Sequence, residues 1–152
     1  MADSLQALED WAAPVLRALE PGQRRKLAAD LARKLRRSQQ QRITQQKNPD
    51  GSPYAKRKPR DLRGKAGRIK RRAAMFTKLR GARYMRARGD ASAITLSFAG
   101  RVSRIARVHQ FGLKDRAEPG APEVRYAQRG LFGFAAADLD LIRDGLLEHL
   151  TL

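Results

Sequence analysis

An α+β fold follows from three features of the sequence. Its N-terminal part places apolar residues at three- and four-residue spacing. The stretch around Gly89-Asp90 alternates apolar and polar residues. The C-terminal part returns to helical spacing with a stripe of leucines. Between the first two lies a segment too rich in Lys, Arg, Pro and Gly to form a regular element. The expected order is an N-terminal helical hairpin (1–46), a basic extended arm (47–72), and an α+β core (73–152) made of a small antiparallel sheet and a C-terminal helix.

In the first helix Leu5, Leu8, Ala12, Val15 and Leu19 share a face with Trp11 at its edge, and Ser4 or Asp3 stands ready as N-cap. Pro14 interrupts or kinks it, because proline has no N–H for the carbonyl four residues back. Glu20-Pro21-Gly22 is a joint, with Pro21 suited to a first turn. The second helix runs from about Gln23 to Gln46. Leu27, Leu31 and Leu35 line it with Ala28 and Ala32, and basic side chains crowd the rest. Its tail, Ser38 to Gln46, is polar nearly all round and requires a partner surface or solvent on both sides.

Asn48-Pro49-Asp50-Gly51-Ser52-Pro53 is turn chemistry throughout. Tyr54 to Lys70 has no apolar period. Ala73 to Leu79 suggests a short apolar helical turn. Tyr84, Arg86 and Arg88 then alternate with Met85 and Ala87, and Ile94, Leu96 and Phe98 with Thr95 and Ser97, so the pair reads as a β-hairpin. Arg101 to Val108 reads as a short helix or turn ended by His109-Gln110-Phe111-Gly112. Lys114 to Pro122 is a loop, and Glu123 to Tyr126 one short strand. The closing helix, about Ala135 to Leu150, buries Leu139, Ile142, Leu146, Leu147 and Leu150 and turns Asp138, Asp140, Asp144 and Glu148 to water.

Charge is unevenly spread. The 152 residues carry +18 overall. Fifteen Lys/Arg and one acid, Asp61, fall between Lys56 and Arg88, whereas Gly89 to Leu152 is neutral with eight bases and eight acids. A sequence pI near 11.5 points to polyanionic partners: nucleic acid, an acidic protein surface or an anionic membrane. Of these, membrane insertion is not expected, since no apolar run approaches the roughly 20 residues a span needs. No basic start followed by an apolar run suggests a signal peptide. The absence of cysteine excludes disulfides, thiolate metal sites and cysteine nucleophiles.

Catalysis finds little support. His109 and His149 lie in different elements. No nucleophile or orienting acid stands beside His109, which reads as a structural histidine, and His149 suits the end of the last helix. No phosphate-loop, dinucleotide or zinc spacing occurs, so neither cofactor nor metal is expected and the chain reads as a non-enzyme. The candidate contacts for DNA or a protein partner are Arg33, Arg36 and Arg37 on the second helix, and Tyr54, Lys56, Arg57, Lys58, Arg60, Arg68, Lys70, Arg71 and Arg72 on the arm. Lys and Arg neutralise phosphates, and Tyr54, Phe76 and Tyr84 are the aromatics able to stack on bases. On this evidence a basic stand-alone nucleic-acid-binding protein and an arm that orders against acidic subunits remain open together.

Five segments carry a more specific signal: RRKLAADLARKLRRSQQQRI, QKNPDGSPYAKRK, MFTKLRGARYMRAR, GRVSRIARVHQFGLKDR and PEVRYAQRGLFGFAAADLDLIRDGLLEHL. In this order and spacing the chain resembles the phage virion morphogenesis family, also called the tail completion protein S family, with Mu-like relatives. The motif positions are Asn48, Pro49, Asp50 and Gly51, and His109, Phe111 and Gly112. Ala127 departs from the pattern, which has proline after Tyr126; the departure bears on how the local strand ends. The resemblance implies a structural virion protein of the neck or tail end, completing the tail and enabling stable head–tail joining. It implies an α+β subunit of a homo-oligomeric ring, six copies being expected and twelve the alternative, in contact with other neck and tail proteins; non-specific contact with packaged DNA and contact with acidic protein surfaces stay open together for the basic arm. Its expected location is the virion, after assembly in the host cytoplasm.

Overall fold

The computed structural model describes residues 2–58 and 73–150. Two long helices, α1 (Ala2–Ala18) and α2 (Pro21–Thr44), precede a hairpin of β1 (Met85–Gly89) and β2 (Ile94–Phe98). Then follow α3 (Val102–Phe111), the short strands β3 (Lys114–Asp115) and β4 (Val124–Arg125), and α4 (Ala136–Leu150). The α+β expectation is met, with two separate two-stranded antiparallel sheets.

Helix α1 runs through Pro14 rather than ending there. The proline lies on the exposed side, where water can take the carbonyl it leaves unpaired. At the joint, Pro21 occupies the first turn of α2, and the Glu20 N–H donates to Gln23 Oε1 at 2.9 Å, fixing the helix start. α2 is the central element. One flank packs on β1 and β2 and another on α4, while α1 finds its main helical partner in α4.

The expected hairpin is present, its register running from Met85 opposite Phe98 to Gly89 opposite Ile94. Asp90 closes its turn by accepting from the N–H groups of Ser92 (2.8 Å) and Ala93 (2.9 Å). Period-two alternation turns Met85, Ala87 and Gly89 inward with Ile94, Leu96 and Phe98, and leaves Arg86, Arg88, Thr95 and Ser97 outward and exposed. Residues 77–80 form a turn in place of a helix. Phe76 before them sits at φ 64°, which interrupts any helical run.

Apolar burial divides in two. Ile43, Tyr54, Leu79, Met85, Ala106 and Leu131 form one cluster, against which Phe98 and Phe132 stack with centroids 4.3 Å apart. Ala12, Leu27, Leu31 and Leu146 form the other and tie α1, α2 and α4 together. Across that second cluster Lys34 bridges Asp30 and Glu148, each at 3.0 Å, and His149 approaches Asp30 at 4.0 Å. Leu147 and Leu150, expected in the buried stripe, are exposed instead, and Asp138, expected in water, is buried. α4 is therefore rotated relative to a helix whose leucines alone define its inner face. The buried carboxylate of Asp138 sets that rotation, and Gly145 packs against the Leu31 side chain of α2.

Candidate functional site

Residues 129–133, Arg-Gly-Leu-Phe-Gly, lie in no helix or strand, yet Leu131 is fully buried. The Arg129 N–H reaches the His109 carbonyl of α3 at 2.7 Å. Side chains must satisfy the buried backbone groups that follow. The Gly130 N–H donates to Asn48 Oδ1 at 2.7 Å, and the Gly130 carbonyl accepts from the Tyr54 hydroxyl at 3.0 Å. Gln110 acts as a substitute strand. Its Oε1 accepts from Leu131 (2.8 Å) and Phe132 (3.0 Å), and its Nε2 donates to the Phe132 carbonyl at 2.8 Å. Gln39 Oε1 accepts from the Gly133 N–H at 3.2 Å. A Cβ on Gly130 or Gly133 would fall 2.6 or 2.4 Å from the Pro49 ring, so both positions admit only glycine against that proline.

The partners of this segment are the motif residues. Asn48 also spans its own loop, donating from Nδ2 to the Ser52 hydroxyl at 3.1 Å. Asp50 accepts from the Ser52 hydroxyl and from the Ser52 N–H at 2.9 Å, which together hold its carboxyl below the usual range, and Gly51 takes φ 87° at the tip. Gly112 ends α3 at φ 61° as a left-handed cap. The three recognisable stretches of the sequence, around residues 48–54, 109–112 and 126–133, thus converge on one clamp. Replacing Asn48 with Ala strips the Gly130 N–H of its acceptor and opens the loop; a loss of about 2–3 kcal/mol in urea unfolding is expected.

Beneath the clamp lies a charged network. Asp138 is 0% exposed and Arg42 8%. Arg42 Nη1 meets Asp138 Oδ2 at 3.2 Å, the Ala135 N–H donates to the same oxygen at 2.8 Å, and the Ser38 hydroxyl donates to Oδ1. Arg42 also donates to Gln39 Oε1 and to the Leu131 carbonyl. The polar tail of α2 found its required partner surface in α4 and in the 129–133 segment. Burial disfavours the Arg42 charge, and the Asp138 carboxylate opposes that.

His109 is enclosed by Phe76, Tyr126 and Arg129. Both rings contact it edge-on, with centroids at 4.8 and 5.1 Å, and Arg129 Nη1 lies 3.1 Å from its Nδ1. A guanidinium only donates, so Nδ1 accepts and His109 is neutral with its proton on Nε2. Burial, and secondarily the Arg129 charge, push it from 6.5 down to about 4. The unfolded chain therefore takes up a proton near pH 6.5 that the folded chain refuses until about pH 4. Stability from this site is complete above pH 6.5 and declines as pH falls through that window. Urea midpoints measured from pH 7 to pH 4.5 should fall less steeply for His109→Gln than for the parent chain.

Arg129 is 4% exposed and holds the root of the arm. Its Nε donates to the Ala55 carbonyl at 2.8 Å and its Nη2 to that of Lys56 at 3.1 Å. Arg57 donates to the carbonyls of Ala73 and Ala74, joining the two ends of the described chain, and Lys58 donates to the Arg125 carbonyl at 3.1 Å. Neither Arg129, Gln110, Gln39, Arg42 nor Asp138 stood out in the sequence. The one available signal was the all-round polarity of the α2 tail.

The candidate contact residues divide. Tyr54 is corrected: it is 5% exposed, its hydroxyl is committed to Gly130 and burial raises its pKa to about 12, so it is closed to base stacking. Arg36 is half-buried with its Nε shielded from solvent. Arg33 and Arg37 lie exposed on α2, Arg33 with Asp30 at 3.5 Å, and Lys56 and Lys58 are exposed. Phe111 is 62% exposed. Arg60, Arg68, Lys70, Arg71 and Arg72 lie outside the described residues. Among the described residues no group of His, Asp and Glu is arranged to hold a metal, and no helix is long and apolar enough to cross a membrane. β4 ends at Arg125, and the Tyr126 N–H still bonds the Leu113 carbonyl at 3.0 Å before Ala127 leaves the pair.

Comparison with known proteins matches residues 3–151 to the model of the phage virion morphogenesis family. Tail completion protein S of Escherichia phage P2 is 38% identical over 149 residues, covering 97% of this chain and 98% of the relative. No solved structure matches.

Proposed function

Because the chain belongs to the phage virion morphogenesis family, we propose that it is a structural virion protein that completes the tail end and makes it competent for stable joining to the head. The observation that carries this reading is the nearly full-length likeness to a protein named for tail completion. The geometry is in keeping with a structural subunit: the motif residues brace one another in a clamp, with their polar atoms spent on backbone groups.

Within this role the chain acts as a ring subunit of the neck, with six copies. A closed ring of identical subunits joins two different surfaces of each copy. Among the described residues, exposed large apolar side chains are Trp11 and Leu16 of α1, Leu147 and Leu150 of α4, Ile105 and Phe111 of α3, Val124 of β4, and Phe134. The exposed α2 residues Arg33 and Arg37, and the arm residues from Lys56 to Arg72, then meet neck and tail proteins or packaged DNA. The protein resides in the virion after assembling in the host cytoplasm.

Light scattering of the purified chain without nucleic acid tests the ring, and addition of the chain to tails lacking it, together with filled heads, tests joining. A discrete oligomer that restores infectious particles is expected. A monomer that shifts DNA but leaves tails unjoined would establish the stand-alone nucleic-acid-binding reading instead. Replacing Arg60, Arg68, Lys70, Arg71 and Arg72 together with Gln should abolish joining and spare the oligomer; retained joining would remove the arm from the mechanism.

A further inference from the structure

The hairpin brings together four exposed side chains that carry no part of the clamp. Arg86 stands directly opposite Ser97, and Arg88 opposite Thr95, on the outward face. The four line one open depression together with Asp90. Among the described residues neither guanidinium forms an ion pair or hydrogen bond; only the backbone of each is engaged, in the β1–β2 ladder. Burial therefore does not explain the arginines, and neither does structural pairing.

We propose that this face is a binding site for the phosphodiester backbone of a nucleic acid. Each cross-strand pair offers one guanidinium and one hydroxyl on side chains whose Cβ atoms lie about 5 Å apart, two donor types that contact phosphate oxygens. The pairs repeat two residues along the strand, about 6.7 Å apart, a spacing comparable to that of successive phosphates on one strand. Tyr84 extends the same row, with the Arg83 guanidinium 5.5 Å above its ring. The face lacks the apolar centre that a protein interface of any size contains, so a polyanionic backbone fits it better than an acidic protein. Asp90 is the one opposing charge. Its Oδ1 is committed to Ser92 and Ala93 in the turn, and Arg88 lies near enough to help hold its carboxyl below the usual range. The Arg86–Ser97 pair, farther from the turn, is thus the stronger of the two.

The site does not depend on ring formation or on head–tail joining, and its test reads binding alone. Full-length protein is titrated against a fluorescein-labelled duplex and a single strand of arbitrary sequence over a series of salt concentrations. Arg86→Gln with Arg88→Gln should lower the slope of log K against log[salt] by about 1.8 on duplex, at about 0.9 per phosphate released. Thr95→Ala with Ser97→Ala should weaken binding several-fold at unchanged slope, which a merely basic surface would not show. Asp90→Asn keeps the turn acceptor, removes the opposing charge and should tighten binding. Thermal midpoints within a few degrees of the parent confirm that the outward substitutions leave the fold intact. An unchanged slope in the double arginine variant overturns the site; if that variant also failed to join tails, the face would belong to an acidic protein surface.

Discussion

Asp138→Ala is expected to lower stability by about 3–5 kcal/mol, enough to leave a large fraction of the chain unfolded at ambient temperature. The carboxylate is buried with Arg42, and its removal leaves a guanidinium in a site from which water is excluded. Ser38, Gln39 and the Ala135 N–H lose their acceptor at the same time. The loss has a second stage. Arg42 and Gln39 also hold the Leu131 carbonyl and the Gly133 N–H, so a displaced Arg42 loosens the 129–133 segment and, through Arg129, the root of the arm. Asp138→Asn retains the acceptor for Ser38 and should cost less than Asp138→Ala. Arg42→Met combined with Asp138→Leu removes both charges and should recover much of the single-variant loss. Urea unfolding of the parent, Arg42→Met, Asp138→Leu and the double variant measures this, with Asp138→Ala and Asp138→Asn beside them. Additive losses in the double variant would show that the pair is not coupled.

Asp138 also marks where sequence reading stops. The helices and the hairpin were legible because their signals are local: apolar spacing, a proline at the start of α2, and strict alternation around Gly89-Asp90. The NPDG loop was likewise visible as a turn. Asp138, by contrast, shares its helix with Asp140 and Asp144, and besides the nearby Ala135 N–H its partners lie 96, 99 and 100 residues earlier in the chain. A carboxylate's burial depends on a cation arriving from elsewhere, and nothing within a helical turn reports it. Tyr54 misled for a related reason. An aromatic beside Lys56, Arg57 and Lys58 resembles a base-stacking residue until the Gly130 carbonyl is seen to take its hydroxyl. The 129–133 segment was hidden because side chains substitute for a strand there, and a ladder of that kind leaves no periodic trace.

Gly89→Ala is the second large effect, about 3 kcal/mol of destabilisation, and it carries the argument from packing to function. A Cβ at Gly89 would lie 2.2 Å from the carbonyl carbon of Ala28 and 2.6 Å from the Ala29 nitrogen. Those atoms belong to the backbone of α2 and cannot rotate aside, so the strand end must lift from the helix. Gly145→Ala provides the contrast. Its Cβ would meet only Leu31 Cδ2, at 2.5 Å, the far end of a side chain that can change rotamer. Alanine also favours a helix interior over glycine by about 1 kcal/mol, so this substitution should fall within about 1 kcal/mol of neutral. Thermal or urea unfolding of the two variants should separate them by more than 2 kcal/mol. The hairpin is anchored to α2 at Gly89, one residue past Arg88. Lifting it therefore moves the outward Arg86–Ser97 and Arg88–Thr95 pairs relative to the exposed bases of α2. A Gly89→Ala chain that remains folded at low temperature should bind DNA more weakly than the parent, whereas Gly145→Ala should bind as the parent does. Equal binding by both would separate the outer face of the hairpin from the close contact beneath it.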